Sequence, residues 1–96
     1  MANQIGELGY TVNPEAAASI HEDGIVILHM VTGRLFSANR TGASVWRGIE
    51  RQLPLETIAL EISGEYQIAA SAAREHAARF LAELERHALV QRGSAS

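Results

Sequence analysis

The sequence contains no cysteine, so disulfides, thiolate metal sites and cysteine nucleophiles are excluded. That absence fits a reducing cytosol. It also lacks a long apolar run. Ala16–Ala18 is the longest near the start, too short for a signal segment, and Ile25–Leu28 cannot span a bilayer. A soluble, cytoplasmic protein with no membrane partner is expected. Basic charge is short as well: eight Lys and Arg stand against eleven Asp and Glu, for a net charge of −3. Nucleic-acid binding domains usually carry a basic excess, so the balance argues against that class.

Catalytic and metal-binding patterns are missing too. His21, His29, His76 and His87 have no partner at metal-ligand spacing, and His76 and His87 stand three helical turns apart. His29 ends a strand-like run and reads as half exposed; the other two of this helix read as surface residues. Ser37, Ser44, Ser63 and Ser71 lack a Gly-x-Ser-x-Gly setting, and there is no phosphate loop. Glu61 and Glu65 lie four apart and read as solvated charge. No enzyme, no cofactor and no metal is expected.

What is present is a chain of 96 residues, one domain's worth, with 47% hydrophobic residues and therefore enough for a modest core. Residues 1–9 read as a flexible tail, 10–92 as a single domain and 93–96 as a second flexible tail. Tyr10–Asn13 has the look of a short strand cut by Pro14. Strands are predicted around Ala17–His21, Ile25–His29 and Arg34–Ala38, with turns at Glu22–Gly24 and Val31–Gly33. In the last strand the pleat places Arg34, Phe36 and Ala38 on one face and Leu35 and Ser37 on the other.

Three helices follow. The first is predicted over Arg40–Glu50, capped by Asn39, with Val45, Trp46 and Ile49 as its apolar stripe and Gly48 as a weak point. The second starts near Pro54, carries Leu55, Ile58, Ala59 and Ile62 on one face, and is predicted to end at Ser63 with Gly64 as a left-handed cap. The third is capped by Ser71 and runs to His87, with Ala73, Ala77, Phe80, Leu81, Leu84 and Ala88 inward. Ion pairs Glu75/Arg79 and Arg79/Glu83 are expected on its outer side. Leu89-Val90 closes the core. The class is α+β and winged helix-turn-helix-like: a three-stranded antiparallel sheet followed by three helices.

Such a layout suggests binding. On the third helix, Arg74, Arg79 and Arg86 are candidate phosphate contacts for a DNA-binding or regulatory domain, but Glu75, Glu83 and Glu85 are interleaved with them. If Arg34–Ala38 is an edge strand, its unpaired main chain is a template for an extended peptide. Leu35, Phe36, Ala72, His76 and Arg79 would line such a cleft. A proline at Phe36 is then expected to remove an edge donor. A third possibility is an interaction module held constitutively by a larger enzyme. An exposed edge also permits a dimer as well as a monomer.

The ordered set Thr32-Gly-Arg34, Asn39, Thr41, Ala43, Trp46, Ile58–Ile62, Tyr66, Phe80-Leu-x-x-Leu84 and Leu89-Val90 resembles the PqqD-like family of peptide-recognition domains. The resemblance spans about residues 24–90. It implies a non-catalytic domain that takes the leader of a ribosomally made precursor peptide as an added strand. A separate tailoring enzyme, such as a radical SAM enzyme, a leader peptidase or a cyclase, would then act on it, in pyrroloquinoline quinone or lasso peptide biosynthesis. Carried onto this sequence, the peptide-binding positions are Arg34, Leu35, Phe36, Ser37 and Ala38 on the strand, and Ala72, Glu75, His76 and Arg79 on the helix. Departures are His76, where many relatives carry an acid, and Ala88-Leu89, where Gly-Leu is common.

Overall fold

A computed structural model describes residues 10–92; the tails expected at 1–9 and 93–96 lie outside the described residues. Strands β1 (Tyr10–Val12), β2 (Ala16–His21), β3 (Gly24–His29) and β4 (Leu35–Ala38) come first. Helices α1 (Arg40–Glu50), α2 (Leu55–Tyr66) and α3 (Ala70–Arg86) follow, and strand β5 (Val90–Arg92) closes the chain. β2, β3 and β4 form an antiparallel sheet in that order. The α+β, winged helix-turn-helix-like expectation therefore holds.

A second, two-stranded sheet was not foreseen. β1 pairs with β5, Tyr10 opposite Arg92 and Val12 opposite Val90. Asn13 fastens this clasp: its amide donates to the Leu89 carbonyl at 3.0 Å and its Nδ2 to the Ala88 carbonyl at 2.7 Å. No local pattern in a three-residue strand identifies a partner about eighty positions away.

Ile25 and Ile27 of β3 point to the helices, and the helices answer with Val45, Trp46 and Ile49, with Ile58 and Ile62, and with Ala73, Ala77, Leu81 and Leu84. All are buried, as are Leu89 and Val90. Asn39 caps α1 as expected, its Oδ1 accepting from the Gly42 amide at 3.0 Å. The Trp46 ring is buried in this core, and its indole N–H reaches Glu50 Oε2 at 3.1 Å.

Four local expectations need correction. Gly64 lies inside α2, and the left-handed residue is Gln67 (φ 56°), because the helix continues through Tyr66, which is half-buried. Ser71 lies within α3, which starts after Ala69 with no side-chain cap. Ala88 is exposed beyond the helix, at φ 60°. Glu83 pairs with Arg86 at 2.9 Å and approaches His87 at 3.7 Å, while Arg79 pairs with Glu75 at 3.4 Å.

No helix among the described residues is long and apolar enough to cross a membrane.

Candidate functional site

Two bonds fix which way the β4 main chain faces. The His29 amide donates to the Arg34 carbonyl at 2.9 Å, and the Met30 amide to the Glu15 carbonyl at 2.8 Å. In an antiparallel ladder bonded and non-bonded pairs alternate. With Ile27 opposite Phe36 and Ile25 opposite Ala38, Phe36 and Ala38 therefore turn their N–H and C=O groups toward β3. Leu35 and Ser37 turn theirs away from β3, and among the described residues β4 is an edge of the sheet. The donors and acceptors open to a visitor belong to Leu35 and Ser37. A proline at Phe36 would break the sheet rather than blunt its edge.

The β4 side chains follow the expected pleat. Leu35 and Ser37 are exposed on the outer face, Leu35 at 70%. Phe36 and Ala38 are half-buried toward α3. The Phe36 ring meets Phe80 with centroids 5.9 Å apart and His87 at 5.2 Å. These contacts fall on the second half of α3, where the sequence had suggested the first.

β4 runs antiparallel to α3, so a cleft between them has two ends. Near the start of β4, a pocket of about 210 Å³ is lined by His29, Arg34, Leu35, Phe36, His87 and Leu89. Near its end, one of about 330 Å³ includes Asn39, Gly42, Tyr66, Ile68, His76 and Phe80. Phe36 and Phe80 form the floor between them. Gly42 permits this closeness: a Cβ there would lie 2.6 Å from the Ala38 Cβ and 3.1 Å from the Phe80 ring.

The predicted residues are thus brought together in part. Arg34, Leu35 and Phe36 share the first pocket, and His76 lies at the second. Ala72, His76, Phe80, Glu83 and His87 follow one stripe of α3 at helical spacing. Glu75 and Arg79 lie on the next ridge, in a shallow depression with Ser71, Arg74 and Ala78. They are rim residues, exposed and ion-paired with each other.

His29, Phe80, His87 and Leu89 were missed as cleft residues. Phe80 read as core, and the other three carried no local signal. His29 is 9% exposed, not half exposed. Its Nδ1 faces the amides of Val31 and Thr32 at 3.3 and 3.4 Å, so the ring braces the turn that leads into β4.

Electrostatics disfavour phosphate on α3. Arg74 pairs with Glu56 at 2.6 Å, Arg79 with Glu75 and Arg86 with Glu83. Each guanidinium already has a carboxylate beside it, and an approaching phosphate would meet both charges. Among the described residues no group of three His, Asp or Glu could hold a metal ion.

Comparison with known proteins shows the family and the fold. The family described as coenzyme PQQ synthesis protein D (PqqD) matches residues 24–90. Two solved structures are similar in fold. TbiB1 in complex with the TbiA(beta) leader peptide has a TM-score of 0.78 and 24% identity, covering 90% of this chain and 99% of that one. A lasso peptide synthetase B1 complexed with the leader peptide has a TM-score of 0.76 and 18% identity, covering 84% and 95%. No curated protein matches the sequence.

Proposed function

The chain belongs to the PqqD family, and we propose on that premise that it captures the leader segment of a ribosomally made precursor peptide. The leader adds to β4 as a further strand and is presented to a separate tailoring enzyme. The domain itself is non-catalytic and occupies residues 10–92.

The observation that carries this reading is the β4 edge. Leu35 and Ser37 offer outward main-chain groups beside an apolar floor of Phe36 and Phe80, with a pocket at each end. Main-chain pairing gives affinity with little demand on sequence, and pockets select alternate side chains of the visitor. Both similar solved structures are complexes with leader peptides, which supports the same class of ligand here. One of them is a lasso peptide synthetase B1, so a leader peptidase or cyclase is a fitting class of enzyme partner. The family equally suits a radical SAM enzyme of quinone-cofactor formation. The cytoplasm, where precursors are made, is the fitting compartment.

Phe36, Leu35, Ser37, Arg34 and Ala38 form the strand side of the proposed site. Ala72, His76, Phe80 and His87 form the helix side, with Glu75 and Arg79 at its rim. An amide-shift titration with the leader of the precursor encoded beside the gene tests this. Shifts centred on Leu35–Ala38, Phe80 and His87 are expected. Shifts confined to Arg74, Arg79 and Arg86 on adding duplex DNA, with none from leaders, would replace this reading by the DNA-binding one.

A further inference from the structure

The pocket of about 210 Å³ at the start of β4 holds two donor side chains, His29 and Arg34, among the apolar groups of Leu35, Phe36 and Leu89. His29 is 9% exposed. Its Nδ1 accepts from the Val31 and Thr32 amides at 3.3 and 3.4 Å, which leaves the ring proton on Nε2. Among the described residues no acceptor meets that N–H. Arg34 is likewise unmatched. Arg51, Arg74, Arg79 and Arg86 each have a carboxylate at 2.6–3.4 Å, and among the described residues Arg34 has none. Water can serve both donors while the pocket is open. A strand laid along β4 displaces it, and a buried donor left without an acceptor is costly.

We propose that this pocket is the subsite for an acidic side chain of the bound peptide. One carboxylate oxygen accepts the His29 Nε2–H, the Arg34 guanidinium holds the other, and the methylenes lie against Leu35, Phe36 and Leu89. Charge-assisted hydrogen bonds of this kind are roughly twice as strong as neutral ones. The same donors disfavour the alternatives. Asparagine or glutamine would bring an NH₂ group to two side chains that only donate. Lysine or arginine would meet the Arg34 charge. The acid nearest His87 does not cancel the site. Glu83 approaches the His87 Nε2 at 3.7 Å, but both its oxygens hold Arg86, at 3.0 and 2.9 Å. His87 therefore serves as a wall, with its ring against Phe36.

This assignment rests on the leader-binding reading and adds the chemistry of one leader position. A strand added to β4 turns every second side chain toward α3. Arg34 and Phe36 stand on that face of β4, two residues apart, so a single leader side chain comes over the pocket they share. Main-chain pairing is tolerant of sequence, and an acid at that position would fix the register of the whole leader.

The test has two arms on the full chain. In the first, N-acetyl-glutamate N-methylamide is titrated to about 50 mM, because a ligand so small binds at best near the millimolar range. The imidazole nitrogens of His29 are followed by long-range nitrogen-15 NMR. The Nε2 resonance should shift with this probe, hardly move with the glutamine analogue, and stop responding in Arg34→Gln, a change at an exposed position. Equal shifts from both probes, or none from either, overturn the proposal. In the second arm, the leader of the precursor encoded beside the gene is bound by calorimetry with each of its acids changed to the amide in turn. One change should weaken binding by about tenfold, and in Arg34→Gln that same change should matter much less. A leader that binds with no acid worth more than about twofold overturns the acidic subsite and leaves leader capture standing. Absence of leader binding overturns leader capture, while the first arm still decides the chemistry of the pocket.

Discussion

The centroid of the Phe36 ring lies 5.2 Å from that of the His87 imidazole with 48° between their planes, and the Phe80 ring centroid lies 5.9 Å from Phe36. One side chain of an edge strand thus meets Phe80 of α3 and His87, the residue that caps its C-terminus, seven positions apart. The two contacts tie β4 to the second half of α3 and its C-terminal cap.

Phe36→Ala should therefore lower stability by about 2 kcal/mol, less than the roughly 3–5 kcal/mol typical of a fully buried phenylalanine because the ring is only half-buried. His87→Ala, at an exposed position, should cost less than about 1 kcal/mol. Urea unfolding measures both. Leader affinity should fall in both variants, so loss of binding in His87→Ala without loss of stability separates cleft shape from folding.

Proline scanning of β4 should give a two-residue alternation. At Ser37 the missing N–H points outward, so the fold should survive while leader affinity drops by about tenfold, the scale of one lost main-chain bond and a stiffened edge. Leu35→Pro should behave alike. At Phe36 the missing N–H belongs to the β3 ladder, and destabilisation by about 3 kcal/mol is expected. Calorimetric titration beside thermal melts reads both quantities. Equal behaviour of Phe36→Pro and Ser37→Pro would show that β4 does not lie in the ladder as described.

Local chemistry made most of the fold legible. Asn39 marked the start of α1, β-branched Ile25–Ile27 marked the central strand, and period-two reasoning placed Phe36 inward and Leu35 outward. The family resemblance pointed to Arg34–Ala38 as the strand a peptide would join, and the structure places Leu35–Ala38 at an edge of the described sheet. Bond parity was out of reach, because it depends on which residues of β3 face which neighbour. So was the β1–β5 clasp, whose partners meet only once the core has formed. His29, His87 and Leu89 entered the cleft through tertiary packing, and no spacing rule joins residues 29 and 87.

Gly48 illustrates the same limit. By helix propensity Gly48→Ala in α1 should stabilise the chain. In the fold a Cβ at that position would lie 2.6 Å from Ile58 Cγ1 and 3.0 Å from its Cδ1, at the buried contact between α1 and α2. Ile58 is 1% exposed and has little room to turn. Gly48→Ala should instead destabilise by about 1–3 kcal/mol, the usual cost of overpacking. A rise in melting temperature would show that Ile58 can change rotamer freely.

Ala88 offers the opposite case. At the end of α3 the Ala88 amide donates to the Glu85 carbonyl at 3.0 Å, and the Leu89 amide donates to the Leu84 carbonyl at 2.9 Å. Those two bonds, with Leu84 and Leu89 both buried, define a Schellman cap. Its left-handed position, φ 60°, is occupied by alanine where glycine is favoured. The conformation is kept because Asn13 Nδ2 bonds the Ala88 carbonyl at 2.7 Å and Leu89 leads directly into β5. Ala88→Gly should remove the Cβ clash and stabilise the protein by about 0.5–1 kcal/mol after the added freedom of the unfolded chain is counted. For a domain of this size that corresponds to a melting temperature higher by about 2–8 °C, readable by differential scanning calorimetry. Leader affinity should be unchanged unless the cap also sets the position of His87, one residue before it. A variant with the higher melting temperature and weaker binding would show that it does.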